Sequence, residues 1–264
     1  MNPASPVRPK GSRRLSRVAA SSPLIAAVLV SSSASAAPPS GKHPRLFMSA
    51  ANVAGYQANA KKSGTAASAV IFQCEDAIKA AKNYTTRGGA DGDNWPGTAV
   101  RCAFAYKATG DAKYLTQAIK YWKASLDDDQ TLGDALGCTA SASPNWQSWN
   151  GNPPAPPIIR TITHDTGYPM RWYGPYIALT YDWLNDAPGV DAGLLAQTRT
   201  CLGAWNDYYT AKGYHRDEAG ANYNAGYVIA KTLSAIAIGT DGGADGHLWN
   251  EVTTSLYPKL LIGE

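Results

Sequence analysis

The chain has 264 residues, of which 44% are hydrophobic and 17% charged, a composition typical of a globular protein and not of a disordered segment. Its formal net charge is +4, but five of its 24 basic residues lie in the first 37 positions, which contain no acidic residue. The other 19 basic and 20 acidic residues give a net charge of −1, which argues against nucleic acid as a partner.

The first 36 residues have the pattern of an export signal. A basic region is followed by the apolar run 24–30 and then by Ala34-Ser35-Ala36, an A-x-A cleavage site. The apolar run is too short to span a bilayer. The sequence therefore predicts a signal peptide over residues 1–36, a linker over 37–42 and one domain over 43–264. We expect a secreted or periplasmic protein with no membrane contact after signal removal.

The first half of the domain is predicted to contain four helices. They are rich in Ala and Lys or carry apolar residues at helical spacing, and they cover 51–62, 66–82, 98–108 and 112–126. The last two form a hairpin broken at Thr109-Gly110-Asp111. In its second arm, one apolar face is formed by residues at i, i+3, i+4 and i+7, namely Leu115, Ala118, Ile119 and Trp122.

Four more helices are predicted after a long irregular segment, 137–168. This segment is rich in Pro, Asn, Ser and Trp, and a loop of this length is usually functional or disordered. It contains a short β-prone run at 158–163. The helices predicted after it cover 169–185, 191–212, 224–238 and 246–261.

Eight helices in consecutive antiparallel pairs, with almost no strand signal, indicate an all-α fold. Paired helices in series build bundles, solenoids or a closed ring of hairpins. The chain has no strict repeat period, which argues against a regular solenoid. It stops directly after an apolar helix, so we expect a fragment of a fold that continues beyond residue 264.

Four cysteines remain after the signal: Cys74, Cys102, Cys138 and Cys201. No C-x-x-C pair and no histidine at zinc-finger spacing accompanies them, so a zinc cluster is not expected, nor is any other metal or cofactor. In an oxidising compartment they favour two disulfides, for which three pairings exist. Four buried free thiols are the alternative.

Two loop histidines are candidates for chemistry. His164 lies near the end of the irregular segment, and His215 precedes the helix start at Asn222-Tyr223-Asn224. Asparagine disfavours helix interiors and favours helix starts, so the two asparagines either cap this helix or face a substrate. His43 and His247 are interpreted as structural or surface residues.

The aromatic residues favour carbohydrate as a ligand. Tyr and Trp number 15 and 8, against 3 Phe. Their apolar faces and polar edges match the C–H faces and hydroxyl groups of sugar rings. The predicted sugar-binding wall consists of Trp146, Trp149, Trp172 and Tyr173. For Trp172, packing into the core is the alternative.

Four stretches resemble the heparinase II/III-like polysaccharide lyases and their alginate-lyase relatives. His43-Pro44-Arg45-Leu46-Phe47 before an Ala-rich helix is similar to the family's opening, and residues 106–122 are similar to its helical-hairpin repeat. Residues 165–186 are similar to its mid-domain helix, and Asn222-Tyr223-Asn224 lies where the family has an Asn-containing motif. The resemblance covers about residues 43–264, although similar hairpin repeats occur in toroidal glycoside hydrolases.

The resemblance implies an (α/α) toroid, here incomplete, and β-elimination on polysaccharides that contain uronic acid. Elimination removes the proton α to a carboxylate, so the charge of that carboxylate must be neutralised. Asn222 fits this role because a helix start favours an anion, and His215 and Tyr223 are candidate proton-transfer groups. The acidic polysaccharide or oligosaccharide would be bound by the aromatic wall together with Asn224, Arg171 and His164.

The family also has a β-sandwich domain after the toroid, and its usual catalytic Tyr and His would lie beyond residue 264. This chain alone is therefore expected to be inactive. Two alternatives stay open. A toroidal glycoside hydrolase needs two positioned carboxylates, for which the candidates are Asp165, Asp182, Asp217 and Glu218. A non-catalytic glycan-binding protein would use the Trp-rich segment alone.

Overall fold

The computed structural model describes residues 36–80, 95–127, 170–213, 215–218 and 220–262. Its helices are α1 (Val53–Ala60), α2 (Ala66–Ala80), α3 (Trp95–Thr109), α4 (Ala112–Asp127), α5 (Met170–Leu184), α6 (Ala192–Lys212), α7 (Asn222–Ile238), α8 (His247–Glu251) and α9 (Tyr257–Ile262). No β-strand occurs among the described residues, which confirms the all-α prediction for them. The irregular segment 137–168 and its β-prone run lie outside them.

Local capping signals account for the agreement between the predicted and observed helix ends. Gly110 takes a left-handed φ of 75° after α3, and its N–H bonds to the Tyr106 carbonyl at 2.7 Å. Asp191 caps α6, since its side chain accepts a hydrogen bond from the Leu194 N–H at 2.7 Å. Such caps satisfy backbone groups that a helix end leaves unpaired.

The last predicted helix is interrupted by a π-helical turn at Val252–Leu256, between α8 and α9. Pro258 follows this turn and has no backbone N–H to donate to the preceding turn. Its ring also crowds the carbonyl four residues earlier, and a widened turn relieves that contact.

Helix α5 forms the centre of the core, because it packs against α3, α4, α6 and α7. The sequence predicted an apolar stripe on α5 at Trp172, Tyr176, Leu179 and Trp183, widened by Tyr173, Ile177 and Leu184. Of these, Ile177, Trp183 and Leu184 are buried, whereas Tyr176 and Leu179 are half-buried. Almost all of residues 174–184 are buried, on every side of the helix, because α5 is surrounded by four other helices.

The helices pack in two rows. Helices α1, α3, α5 and α7 pack each against the next, and α2, α4, α6 and α8 lie against that first row. On α4, the predicted inward face is buried at Leu115, Ala118 and Trp122, and Ile119 is half-buried against the core. On α6, the sequence predicted an inward face that is buried except for Leu195, which is half-buried: Leu194, Leu195, Thr198, Cys201, Leu202 and Trp205.

Helices α5 and α7 are parallel. His43 contacts Asp182 near the end of α5 and Asp241 just after the end of α7, so the carboxyl ends of these helices meet. The main chain of Arg45 binds Asp182, while its guanidinium reaches the carbonyl of Ala237 in the last turn of α7 at 2.9 Å.

Helix α3 runs in the same direction as these two. Gly189, before α6, lies beside Ile119 in α4, and Cys201 Sγ in α6 lies 4.0 Å from the carbonyl of Leu126 near the end of α4. Helices α4 and α6 are therefore parallel. Helix α3 packs antiparallel to α4, and α5 packs antiparallel to α6. The amino termini of α3, α5 and α7 therefore lie at one end of the molecule. We call it the amino end, and the opposite end the carboxyl end.

The described cysteines are all oxidised. Cys74 in α2 and Cys102 in α3 form a disulfide with an S–S distance of 2.01 Å. Cys201 is also disulfide-bonded, and Cys138 lies outside the described residues. The first bridge spans a sequence separation of 28. By restricting the unfolded chain, a loop of this size stabilises the fold by about 3 kcal/mol.

Candidate functional site

A cluster of buried and half-buried polar side chains lies at the carboxyl end. It consists of His43, Arg45, Tyr181, Asp182 and Asp241, and we call it the His43 cluster. The two ring nitrogens of His43 each lie 2.7 Å from a carboxylate, Nδ1 from Asp182 and Nε2 from Asp241. The Arg45 guanidinium pairs with Asp241 at 2.5 Å, and the Tyr181 hydroxyl donates to Asp241 at 2.9 Å. This cluster confirms the structural interpretation of His43.

Asp182 is fully buried, and both its oxygens are used inside the fold. They accept the backbone N–H groups of Arg45 and Leu46 at distances between 2.8 and 3.0 Å, in addition to the contact with His43. A carboxylate of a glycoside hydrolase must reach the glycosidic bond or a water beside it. The geometry therefore does not support Asp182 in that role.

Two groups of the His43 cluster, Tyr181 and Asp241, have pKa values shifted further from neutral pH. Burial raises the pKa of the Tyr181 hydroxyl to about 12, so it remains a donor. Burial also opposes ionisation of Asp241, but hydrogen bonds from Arg45, Tyr181 and His43 outweigh it and lower the pKa of that carboxyl. Near neutral pH, Tyr181 therefore keeps its proton and Asp241 stays ionised, which preserves the hydrogen bond between them.

At the amino end, helix α7 begins at Asn222, two residues before the predicted start. The N-cap residue is Ala221, and no side chain accepts a capping hydrogen bond there. Neither Asn222 nor Asn224 therefore caps the helix, and the capping alternative is wrong for both. Asn222 is exposed to solvent, whereas Asn224 is half-buried and lines a cleft.

The turn before α7 brings two of the predicted site residues together. The His215 ring lies 6.1 Å from the Tyr223 ring, measured between centroids. His215 Nδ1 also lies 2.5 Å from a carboxylate oxygen of Glu218. His215 has a φ of 51°, in the left-handed region that non-glycine residues rarely occupy. Strained backbone of this kind is often found at functional sites.

A cleft of about 520 Å³ lies between α6, α7 and the α8–α9 helix. It lies within the size range of small-ligand pockets, roughly 300–1,000 Å³. Its charged side chains include three cations and two acids. Its lining residues include Thr210, Arg216, Asp217, Asn224, Lys231, Glu251, Ser255 and Lys259. We call this the basic cleft.

Sequence reasoning missed Lys231, a buried lysine in the wall of the basic cleft. Its Nζ donates to Thr210 Oγ1 and pairs with Glu251 Oε1. It shares one face of α7 with Asn224 and Tyr227, at i, i+3 and i+7. A single lysine inside the apolar run VIAKTLSAIAI was the signal available in the sequence, because a charge there must be paired or functional.

A smaller cavity of about 350 Å³ lies at the carboxyl end of α7, beside the glycine-rich turn 239–246. Arg199 and Trp249 are among its lining residues. The Arg199 guanidinium also donates to the Tyr181 hydroxyl at 3.2 Å, which ties this cavity to the His43 cluster.

The remaining predicted site residues are placed only in part. Arg171, Trp172 and Tyr173 lie in the first turn of α5, at the amino end, and their side chains are outside the description. Trp146, Trp149, His164 and Asp165 lie outside the described residues altogether. The structure thus brings His215 and Tyr223 together and places Asn222 and Asn224 on different sides of α7.

Within the described ranges, no helix has the length and apolar character needed to cross a membrane. In the same residues, no group of three or more His, Cys, Asp or Glu side chains is arranged to hold a metal ion. Searches for similar proteins found no matching family model, no matching curated sequence and no matching solved structure.

Proposed function

We propose that this chain is the sugar-binding, toroidal part of an exported lyase that cleaves acidic polysaccharides by β-elimination. The observation that carries the proposal is the shared direction of α3, α5 and α7. Their amino termini lie at one end, where Asn222, His215 and Tyr223 are found, and Asn224 in the same helical turn lines the basic cleft. Each helix amino terminus carries a partial positive charge, so this end favours a polyanion.

The two rows of helices support an incomplete (α/α) toroid. In such a ring, one helix of each hairpin faces inward and packs on its equivalent in the next hairpin. The row α1, α3, α5 and α7 has this arrangement, with α2, α4, α6 and α8 against it. A signal peptide over residues 1–36 would export the domain.

The proposed chemistry assigns a role to each group. Asn222 donates its amide N–H to the uronate carboxylate, which disperses the charge that develops when the α-proton leaves. His215 or Tyr223 accepts the proton from C5, the C4–O bond breaks, and a C4–C5 double bond forms. The departing oxygen takes a proton from an acid.

The test is to titrate the chain with an oligouronate and with the same oligosaccharide after chemical reduction of its carboxyl groups. We expect binding of the first alone. Asn222→Ala should weaken it about ten-fold, since a hydrogen bond to a charged group contributes roughly 1.5–3 kcal/mol. Asn59→Ala is the matched control, because Asn59 is an exposed helical asparagine in α1. Equal binding of both oligosaccharides would instead favour a non-catalytic glycan-binding protein, and no binding would overturn the proposal.

One observation keeps the hydrolase as a second candidate. Asp217 and Glu251 both line the basic cleft. Two carboxylates on one cleft are the minimum that glycoside hydrolysis requires. The products formed from an acidic polysaccharide would decide between the two. Elimination leaves an unsaturated sugar that absorbs ultraviolet light, whereas hydrolysis leaves a saturated one.

A further inference from the structure

We propose that Lys231 and Thr210 form a carboxylate-binding subsite in the basic cleft, and that Glu251 occupies it in place of a substrate uronate. The inference rests on the proposed function, because it specifies how an acidic sugar is held. The subsite would be a second anion-binding point besides Asn222. It lies on the side of α7 that faces α6 and the α8–α9 helix.

The first support is the burial of the lysine. The Lys231 side chain is only 6% exposed. A buried ammonium is costly unless a carboxylate and further hydrogen bonds compensate it. Lys231 uses two of its three donors, toward Thr210 Oγ1 and Glu251 Oε1. It has no third partner among the described residues, so one donor is left for a ligand.

The second support is the position of Glu251. Thr210 Oγ1 lies 2.8 Å from the same Glu251 oxygen that Lys231 contacts. The single hydroxyl hydrogen of Thr210 has two acceptors in reach, this oxygen and the Asn206 carbonyl at 2.9 Å. When it points to the carboxylate, Thr210 and Lys231 converge on one oxygen, which is the arrangement that a uronate carboxylate would need. The Glu251 side chain is 24% exposed, so a ligand in the cleft can reach this contact.

When a uronate carboxylate replaces the Glu251 carboxylate, Lys231 keeps a negatively charged partner. The displaced Glu251 side chain has a second cation on the same cleft, Lys259, which is exposed and has no ion-pair partner among the described residues. Asn224 and Ser255 also line the cleft and offer an amide and a hydroxyl to the hydroxyl groups of the sugar.

Glu251→Gln tests the exchange, because it removes the competing charge and keeps the shape of the side chain. Affinity for an oligouronate should rise about five-fold, since the ligand no longer displaces a charged competitor. The matched control is Glu75→Gln, which breaks the pair of Glu75 with Lys113 on the distant α2–α4 surface and should leave affinity unchanged. Both variants are titrated as the full chain, after thermal unfolding confirms that they fold.

A second variant tests the subsite if Glu251→Gln fails to fold. Thr210 is exposed, so Thr210→Ala should leave the fold intact and weaken oligouronate binding about three-fold. Wild-type binding that depends on Asn222 but does not respond to either cleft variant would overturn the subsite and leave the proposed function standing. Absence of oligouronate binding in the wild type and in Glu251→Gln alike would overturn both.

Discussion

The two ends of the molecule each hold a histidine beside a carboxylate, yet their surroundings differ. At the carboxyl end, His43 is 6% exposed and its partner Asp182 is fully buried. At the amino end, His215 is 32% exposed and its partner Glu218 is 62% exposed. A histidine–carboxylate pair therefore holds the fold together at one end and remains accessible to a ligand at the other.

Burial sets the energetic difference between these pairs. Removing one partner of a buried ion pair leaves an uncompensated charge and costs roughly 3–5 kcal/mol. An exposed pair contributes about 0–1 kcal/mol, since water competes for both partners. Substitutions at either end of the molecule therefore test this difference in stability.

The largest effect is expected at the carboxyl end. Asp182→Asn leaves the N–H groups of Arg45 and Leu46 without their carboxylate, and it removes one partner of His43. The free energy of unfolding should fall by about 3–5 kcal/mol in urea titrations. Glu218→Gln is the matched change at the amino end and should cost less than about 1 kcal/mol. Equal losses would show that burial does not separate the two ends.

The pH dependence of the unfolding free energy is also expected to differ between substitutions at the two ends. Asp241 has a lowered pKa in the folded chain, so its contribution to stability is present above the unfolded pKa and is lost as pH falls through the folded value. Unfolding free energy should therefore decline below about pH 4. Asp241→Asn should flatten this decline, whereas Asp217→Asn, at the exposed amino end, should preserve it. If the unfolding free energies of wild type and Asp241→Asn fell equally steeply with falling pH, Asp241 would not be the source of the decline.

The smallest effect is expected at His215. Glycine takes the φ of 51° without the penalty of roughly 1 kcal/mol that a side chain incurs there. This gain offsets the lost pair with Glu218, so His215→Gly should change stability by less than about 1 kcal/mol. The measurement is again urea unfolding. A loss above about 2 kcal/mol would mean that His215 is structural after all.

The sequence allowed the helices to be predicted well, because their ends are marked locally. Thr109-Gly110-Asp111 separates α3 from α4, and the Asp191 cap marks the start of α6. It did not reveal the partner of His43, since Asp182 is 139 positions away. It equally could not select the Cys74–Cys102 bridge among three pairings.

The candidate site was predicted less completely, for a related reason. His215, Tyr223 and Asn222 were found because they are close in sequence. Lys231 and Glu251 meet only when α7 packs against α8, and neither residue has a local motif around it. The sequence also offered Asp182 as a catalytic acid, because burial cannot be read from a residue type.

Hydrogen exchange of the chain with and without an oligouronate tests most directly whether the amino end is the functional one. Our account predicts slower exchange in residues 220–231, which contain Asn222, Asn224 and Lys231, and unchanged exchange around His43 and in residues 236–246. Protection confined to the carboxyl end, or binding of the oligouronate without protection of residues 220–231, would contradict it.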